Sequence, residues 1–429
     1  SFLILVTPFS NKIELTLYDD NLDYPSLIKK LQGMDLREST FKTILPLELN
    51  YKLFNFLPNR DLKAMSLVSR GFTLDVHKHR KLFKVLIKAT QEELNQVPDT
   101  VIELNIIDRW KYIKYIPDKL VNLITFKCSG TRVTFIPEKF TKLTELRCWD
   151  SPLSIIPDTL IQLTYLHCGM CESMKSIPKT LINLDELYCY NTQVSIIPDT
   201  LTELTRLNCS YTEVDSIPAT LVNLTTLSCD KTKVSKIPDT LVQLTALYCD
   251  NTQVTAIPKT LVQLTELYCY DTQVSIIPDA LVQLTKLSCK NTRVTSIPDT
   301  LIKLTKLNCC FTQVASIPDT LVQLTELICY KTKVTKIPDT LINLTYLDCN
   351  HTDITSISGK FVNLVTLVCG NTQIASIPDT LIKLTKLVCN DTQIASIPDT
   401  FVNLDFIEYS RTKVTCLPHL PKYKPNRIR

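Results

Sequence analysis

Residues 247–266 read LYCDNTQVTAIPKTLVQLTE and residues 267–286 read LYCYDTQVSIIPDALVQLTK, so almost every apolar position returns after twenty residues. The proline of this unit recurs at the same interval, with one interval of twenty-one and with Ser358 in one of its places. Its members are Pro117, Pro137, Pro157, Pro178, Pro198, Pro218, Pro238, Pro258, Pro278, Pro298, Pro318, Pro338, Pro378, Pro398 and Pro418. Self-similarity at a fixed short period indicates stacked structural units rather than separate globular domains.

A cysteine returns once in every unit. If Leu247, Tyr248 and Cys249 form a strand, alternation sends Leu247 and Cys249 inward and leaves Tyr248 and Asp250 facing out. The cysteine is then a small apolar core residue. Fourteen of the 17 cysteines belong to this column: Cys128, Cys148, Cys168, Cys189, Cys209, Cys229, Cys249, Cys269, Cys289, Cys309, Cys329, Cys349, Cys369 and Cys389.

The cysteine column is expected to stay reduced. Parallel strands about 4.8 Å apart leave the Cβ atoms too distant for a disulfide, and a long thiol ladder suits a reducing compartment. Metal binding is the alternative, but it needs three or four convergent ligands, whereas a column offers them in a line. Cys168 and Cys171 make one C-x-x-C without a second pair. In the pair Cys309-Cys310, the second thiol is predicted to point outward and to be reactive.

The outward strand positions vary from unit to unit, while the buried columns barely change. Variation confined to one face favours a recognition surface, and its aromatic residues are candidate anchors. Relaxed drift on an exposed sheet is the alternative. The candidate partner-binding residues are Trp149, His167, Tyr188, Tyr190, Tyr248, Tyr268, Tyr270 and Tyr330.

A threonine column and a Pro-Asp-Thr step complete the unit. We predict that threonines such as Thr252 bond to turn backbone, and that the Pro-Asp-Thr segment is extended or a single 3₁₀ turn. The stacked aspartates of that step are interpreted as a solvated edge rather than a cation site.

The consensus L-T-x-L-x-C-x-x-T-x-V-x-x-I-P-D-T-L resembles the leucine-rich repeat over about residues 97–418, with Cys in place of the third Leu and Thr in place of Asn. The resemblance implies an α/β solenoid, a horseshoe with a parallel β-sheet on its concave face. We assign residues 91–418 to this solenoid, with residues 1–40 before it of unknown role and a basic tail, residues 419–429, after it.

Residues 41–90 have a different composition, and their apolar spacing and prolines predict three short helices. This segment resembles an F-box, whose pattern L-P-x-E, L-P-x-x-D-L and L-V-x-R-x-aromatic it follows, with Phe72 and Phe83 where the family usually has Trp. The resemblance implies a helical unit that binds a Skp1-like adaptor through Leu45, Pro46, Leu49, Leu53, Leu57, Pro58, Leu62, Val68 and Phe72.

Together the two resemblances imply a substrate-recognition subunit of an SCF-type (Skp1-cullin-F-box) ubiquitin ligase, in which the repeats hold an unknown protein substrate. The repeats are also similar to F-box/leucine-rich-repeat proteins of large DNA viruses, such as those of mimivirus, which would redirect a host ligase in the host cytoplasm. A leucine-rich-repeat interaction scaffold without any ligase role is the alternative. In either case we expect the chain to be a monomer outside the complex.

Composition disfavours other functional classes. A net charge of +4 over 429 residues gives no indication of a nucleic-acid partner, and no apolar run is long enough to span a membrane. The five histidines show no pairing with Cys, or with Ser and Asp, at a catalytic spacing. We therefore expect no enzymatic activity, no cofactor and no metal, and a cytoplasmic rather than secreted protein.

Overall fold

The computed structural model describes residues 2–6, 13–17, 84–87, 91–95, 97, 99–106 and 113–417. The chain divides into two compact units, residues 1–152 and residues 153–429. The predicted F-box residues, from Leu45 to Phe72, lie outside the described residues, and so do residues 418–429.

The first unit contains a two-stranded antiparallel sheet and a parallel sheet. Strands β1 (Phe2–Val6) and β2 (Ile13–Leu17) pair antiparallel. The parallel sheet comprises β3 (Lys84–Ile87), β4 (Glu103–Ile106), β5 (Thr125–Lys127) and β6 (Glu145–Arg147), and the short helix α1 (Gln91–Asn95) lies between β3 and β4 in the chain. The segment predicted as helical ends in a strand, Lys84–Ile87, which pairs with β4. Its apolar residues Val85, Leu86 and Ile87 favour a strand in this position.

The second unit is a parallel-strand solenoid. Each strand pairs in register with the next one along the chain, so that Leu227 lies beside Leu247 and Leu247 beside Leu267. The strands are β7 (Tyr165–His167), β8 (Glu186–Tyr188), β9 (Arg206–Asn208), β10 (Thr226–Ser228), β11 (Ala246–Tyr248), β12 (Glu266–Tyr268), β13 (Lys286–Ser288), β14 (Lys306–Asn308), β15 (Glu326–Ile328), β16 (Tyr346–Asp348), β17 (Thr366–Val368), β18 (Lys386–Val388) and β19 (Phe406–Glu408).

Two consecutive tight turns take the place of a helix on the far side of each repeat. In the repeat of β11, the Leu241 N–H donates to the Pro238 carbonyl at 3.4 Å, and the Leu244 N–H donates to the Leu241 carbonyl at 3.1 Å. The described residues of the second unit contain no helix, since twenty residues leave no length for one. The segment was predicted to be extended or a single 3₁₀ turn, whereas the structure has two turns in succession.

The core of each repeat is a ring of apolar side chains. In the repeat of β11, Leu241, Leu244, Leu247, Cys249 and Val254 each have 0% of their surface exposed. The prediction that the cysteine column faces inward is confirmed, because all fourteen members are buried. Every one of the 17 cysteines is a free thiol in the structure.

The threonine column closes the turn that follows each cysteine. The Thr232 hydroxyl donates to the Cys229 carbonyl at 2.6 Å and accepts from the Val234 N–H at 3.5 Å. The residue before each threonine has left-handed backbone, with φ of 51° at Lys231 and 57° at Tyr211. The structural role predicted for the column is confirmed, although each hydroxyl bonds within its own repeat rather than along the stack.

Candidate functional site

The outward residues on and just after the strands form one surface of the second unit, which we call the strand face. In the repeat of β11 these residues are Ala246, Tyr248 and Asp250, on either side of the buried Leu247 and Cys249. Equivalent residues follow at each repeat, because the strands are in register. This placement agrees with the outward alternation predicted from the sequence.

Four aromatic rings lie together where the strand face begins in the second unit. The centroid of the His167 ring is 5.4 Å from that of Tyr188 and 5.6 Å from that of Tyr190, and Tyr165 is 5.6 Å from Tyr188. The Tyr190 ring lies directly over Gly169, where an added Cβ would be 2.7 Å from the ring. The structure thus brings together three of the predicted anchors, His167, Tyr188 and Tyr190.

A second aromatic group lies three to four repeats further along. The rings of Tyr248 and Tyr268 stack with centroids 5.1 Å apart and planes inclined by 21°. The Tyr248 hydroxyl donates to Glu266 at 2.8 Å, and Glu266 also accepts from Lys286 at 2.8 Å. Burial, followed by the bond to Glu266, raises the pKa of Tyr248 to about 12, while the bond from Lys286 lowers the pKa of Glu266. The bond to Glu266 therefore holds Tyr248 in place, and Tyr268 stacks on it.

The remaining predicted anchors are Tyr270, Tyr330 and Trp149. Tyr270 is next to Lys290, whose ammonium is 6.0 Å from the ring centroid. Tyr330 packs edge-on against Phe311 with centroids 4.9 Å apart. Trp149 belongs to the first unit and is 39% exposed. Within the second unit, ring contacts therefore join His167, Tyr188 and Tyr190 in one group and Tyr248 and Tyr268 in another.

Cys310 occupies the outward position that the sequence predicts, equivalent to Asp250, but the prediction that its thiol is reactive is wrong. The residue does follow the buried Cys309, but only 1% of its surface is exposed. Burial raises the pKa of the Cys310 thiol, although a hydrogen bond with Tyr330 and the nearby Lys290 act in the opposite direction. Larger side chains on the adjacent repeats cover the small Cys310 side chain. The sequence of a single repeat does not reveal this burial. The one exposed cysteine is Cys416.

Three strand-face carboxylates that the sequence analysis did not select stand out by their burial. Asp250 is 9% exposed, and Asp230 and Asp348 are also partly buried. Burial raises the pKa of all three, that of Asp250 to about 7. By contrast, the strand-face glutamates Glu186, Glu266 and Glu326 pair with Arg206, Lys286 and Lys306 at 3.6, 2.8 and 2.9 Å.

Each buried aspartate accepts a hydrogen bond from backbone. Asp230 accepts from the Asp250 N–H at 2.8 Å, and Asp250 accepts from the Tyr270 N–H at 2.8 Å. The Asp348 carboxylate bonds instead to the Asn350 N–H of its own repeat at 3.1 Å. A sequence signal existed for the first two, because Asp230 and Asp250 occupy the same outward position in consecutive repeats.

The described residues show neither a cluster of metal ligands nor a helix that could span a membrane. Across the described residues, no cluster of three or more His, Cys, Asp or Glu side chains could hold a metal ion. Nor does the described part of the chain contain a helix that is long and apolar enough to cross a membrane. The strand face itself carries aromatic, charged and small polar groups, whose chemistry suits non-covalent binding.

A comparison with protein families assigns the repeat. Residues 342–383 match the family model described as leucine-rich repeats (2 copies). The two repeats in this range therefore match the leucine-rich repeat. No curated protein matches the chain.

Solved leucine-rich-repeat structures share the fold. A leucine-rich-repeat protein of Leptospira interrogans is 20% identical, with a TM-score of 0.63, over 80% of this chain and 93% of that one. The functional domain of InlJ from Listeria monocytogenes, described as including a cysteine ladder, is 24% identical with a TM-score of 0.55, over 70% of this chain and 64% of that one. The Arabidopsis receptor kinase HAESA, in complex with the peptide hormone IDA and the co-receptor SERK1, is 18% identical with a TM-score of 0.58, over 77% and 69% of the two chains.

Proposed function

We propose that this protein is an interaction scaffold whose strand face binds a partner protein. The proposal rests on the ordered aromatic side chains of the strand face, above all the stacked Tyr248 and Tyr268. Large rings that are already ordered lose little conformational entropy on binding and can bury much area. The similar HAESA fold, which carries a peptide hormone in its complex, supports a peptide or protein as the guest.

Truncation of the second aromatic group, together with Tyr270 in the same repeat as Tyr268, tests this proposal. The triple change Tyr248→Ala, Tyr268→Ala and Tyr270→Ala removes three outward rings and leaves the buried columns intact. We expect proteins that co-purify with the parent chain to be lost from this variant while its denaturation midpoint stays close to that of the parent. A matched control, Ile196→Ala, removes a side chain that is 71% exposed outside the strand face and should retain every partner. If all partners survived the triple change, the proposal would fail.

The finer proposal is a substrate-recognition subunit of an SCF-type ubiquitin ligase. It rests on the F-box pattern of residues 41–90, including Leu45-Pro46 and Leu57-Pro58, and on the basic composition of that segment, which suits an acidic adaptor. In this role the F-box would bind Skp1 and the repeats would hold a substrate near a ubiquitin-loaded enzyme. Rate enhancement would come from proximity, with the chemistry carried out by other subunits and none by this chain.

Co-purification from eukaryotic cytosol tests the ligase role. The intact chain is compared with the double variant Leu45→Ala, Pro46→Ala, and the expected result is that Skp1 and a cullin accompany only the intact chain. Their absence from both samples would leave the scaffold function and remove the ligase function.

A reducing, cytoplasmic location is part of the same proposal. The column of buried thiols supports it, because in an oxidising compartment unfolded chains with 17 cysteines would cross-link before folding. We expect refolding to give a high yield with a thiol reductant and a low yield with an oxidised glutathione buffer. Equal yields in the two buffers would contradict this location.

A further inference from the structure

Asp230 and Asp250 are carboxylates without a cation. Within the part of the chain that the structure describes, neither forms an ion pair, although three strand-face glutamates and several other acidic side chains do. Asp250 also has acidic neighbours. The negative charges of Asp230 and Asp271 both raise the pKa of Asp250. A partly buried negative charge costs free energy unless it is paired.

The structural role of these two residues does not require a charge. The backbone N–H that Asp230 accepts at 2.8 Å has an equivalent near the end of the array, where the Ser410 N–H donates to the neutral amide oxygen of Asn390, also at 2.8 Å. An asparagine can therefore make the same bond between repeats. The negative charge at Asp230 and Asp250 calls for another explanation.

The stacked tyrosines lie next to the two carboxylates. Tyr248 is in the same repeat as Asp250, and the Asp230 charge contributes to the raised pKa of Tyr248. The strands of the repeats that contain Asp230 and Asp250 begin with the small residues Thr226 and Ala246. The flanking strands begin with the larger Arg206 and Glu266. Aromatic faces beside carboxylates attract cations, and the effect grows when the cation is desolvated.

We propose that Asp230 and Asp250, together with the stacked Tyr248 and Tyr268, bind the arginine or lysine side chain of a basic segment of the partner protein. Charge complementarity decides the occupant: the guest supplies the cation that the chain itself does not provide. Arginine fits best, since its planar guanidinium both stacks on a ring and donates to carboxylates. This inference rests on the proposed function of the strand face and names the chemistry of the partner.

The first test uses the full chain and a defined probe. N-acetyl-arginine amide is titrated into protein labelled with ¹³C at the aspartate carboxyl groups, and N-acetyl-citrulline amide serves as the neutral isostere. We expect the arginine probe to shift the Asp230 and Asp250 carboxyl signals and the citrulline probe to leave them unchanged. Equal effects of the two probes, or none from arginine, would overturn the inference.

The probe affinity should depend on pH. A cation binds the ionised carboxylate, so with an Asp250 pKa of about 7 the affinity should rise about tenfold from pH 6 to pH 8. The other groups around this site are Asp230, Asp271, Tyr248 and Tyr270, and Lys231 and Lys290 lie beside Tyr270. An affinity that stayed flat over this range would contradict binding at Asp250.

Substitutions separate this inference from the proposed function. Asp230→Asn with Asp250→Asn keeps both backbone hydrogen bonds and should weaken the probe at least tenfold, whereas the control Asp348→Asn, five repeats from Asp250, should not. If this double variant still captured every partner that the tyrosine variant loses, the cation site would be wrong and the scaffold function would stand. If neither variant lost a partner, both proposals would fail.

Discussion

Leu247 and Tyr248 are neighbours in one strand, yet they belong to two different regions of the molecule. Leu247 lies in the buried ring that every repeat copies, whereas Tyr248 lies on the strand face, where each repeat differs. The buried region must be nearly identical in every repeat because stacked repeats share one core and one register. The strand face carries no such constraint, so specificity can change there at little cost to stability.

The largest expected effect separates these two regions directly. Leu247→Ala should destabilise the protein by about 2–5 kcal/mol, because it opens a cavity in a core that is closed on every side. Tyr248→Ala in the same strand should cost less than about 1 kcal/mol. Denaturant unfolding of both variants measures the difference. Equal losses would show that the strand face also supports the core.

The second effect concerns the bond that ends each strand segment. Thr232→Val keeps the shape of the side chain but removes the hydroxyl that donates to the Cys229 carbonyl at 2.6 Å. A buried carbonyl without a donor costs about 1–3 kcal/mol. Thr232→Ser retains the hydroxyl and serves as the control in the same unfolding experiment. If Thr232→Ser lost as much stability as Thr232→Val, the effect would come from packing rather than from the hydrogen bond.

The third effect is a dependence of stability on pH that comes from a carboxylate of the strand face. The folded-state pKa of Asp250, about 7, lies above its ordinary value of 3.8, so the protonated form is favoured in the folded state. Its stabilisation is fully present below the unfolded pKa and is lost as the pH rises through about 7. We expect the parent chain to be more stable at pH 6 than at pH 8, by at most about 1 kcal/mol after allowance for solvent screening.

Asp250→Asn checks the origin of this dependence. The variant keeps an acceptor for the Tyr270 N–H and should remove most of the difference between pH 6 and pH 8. Asp299→Asn changes an exposed aspartate away from the strand face and should leave the difference unchanged. A parent chain that was more stable at pH 8 would contradict the sign of the Asp250 pKa shift.

The smallest effect lies at the left-handed residue of the turn. Tyr211 has a φ of 57°, whereas the equivalent residues Asn191 and Asn251 have a side chain that tolerates this backbone. Tyr211→Asn should raise stability by a few tenths of a kcal/mol, because relief of backbone strain exceeds the loss of the Lys231 contact to the ring. A lower midpoint for this variant would show that the contact with Lys231 dominates.

Much of the fold followed from the sequence because it depends on local alternation repeated many times. The inward Leu247 and Cys249, the outward Tyr248 and the turn after Pro238 were all predictable from the spacing within one repeat. The left-handed residue was missed although Asn191 and Asn251 signal it, because Tyr211 and Phe311 in the same position hide the pattern. Cys310 was misjudged because its burial depends on side chains from the adjacent repeats.

The candidate site was only partly predictable. The sequence marks His167, Tyr188 and Tyr190 as outward aromatic residues, but their contact depends on the missing side chain at Gly169. It likewise places Asp230 and Asp250 on the outward face without indicating that they are partly buried and lack a cation. The F-box interpretation of Leu45 to Phe72 stays a prediction, since these residues lie outside the described part of the chain.

The sequence by itself determined the period, the inward column and the identity of the variable face, because each follows from alternation along a strand and its recurrence every twenty residues. Only the tertiary structure decided which outward side chains touch, which thiols water can reach and which carboxylates form no ion pair. These properties depend on residues twenty positions apart that parallel pairing brings side by side. Their chemistry is thus set between repeats rather than within one.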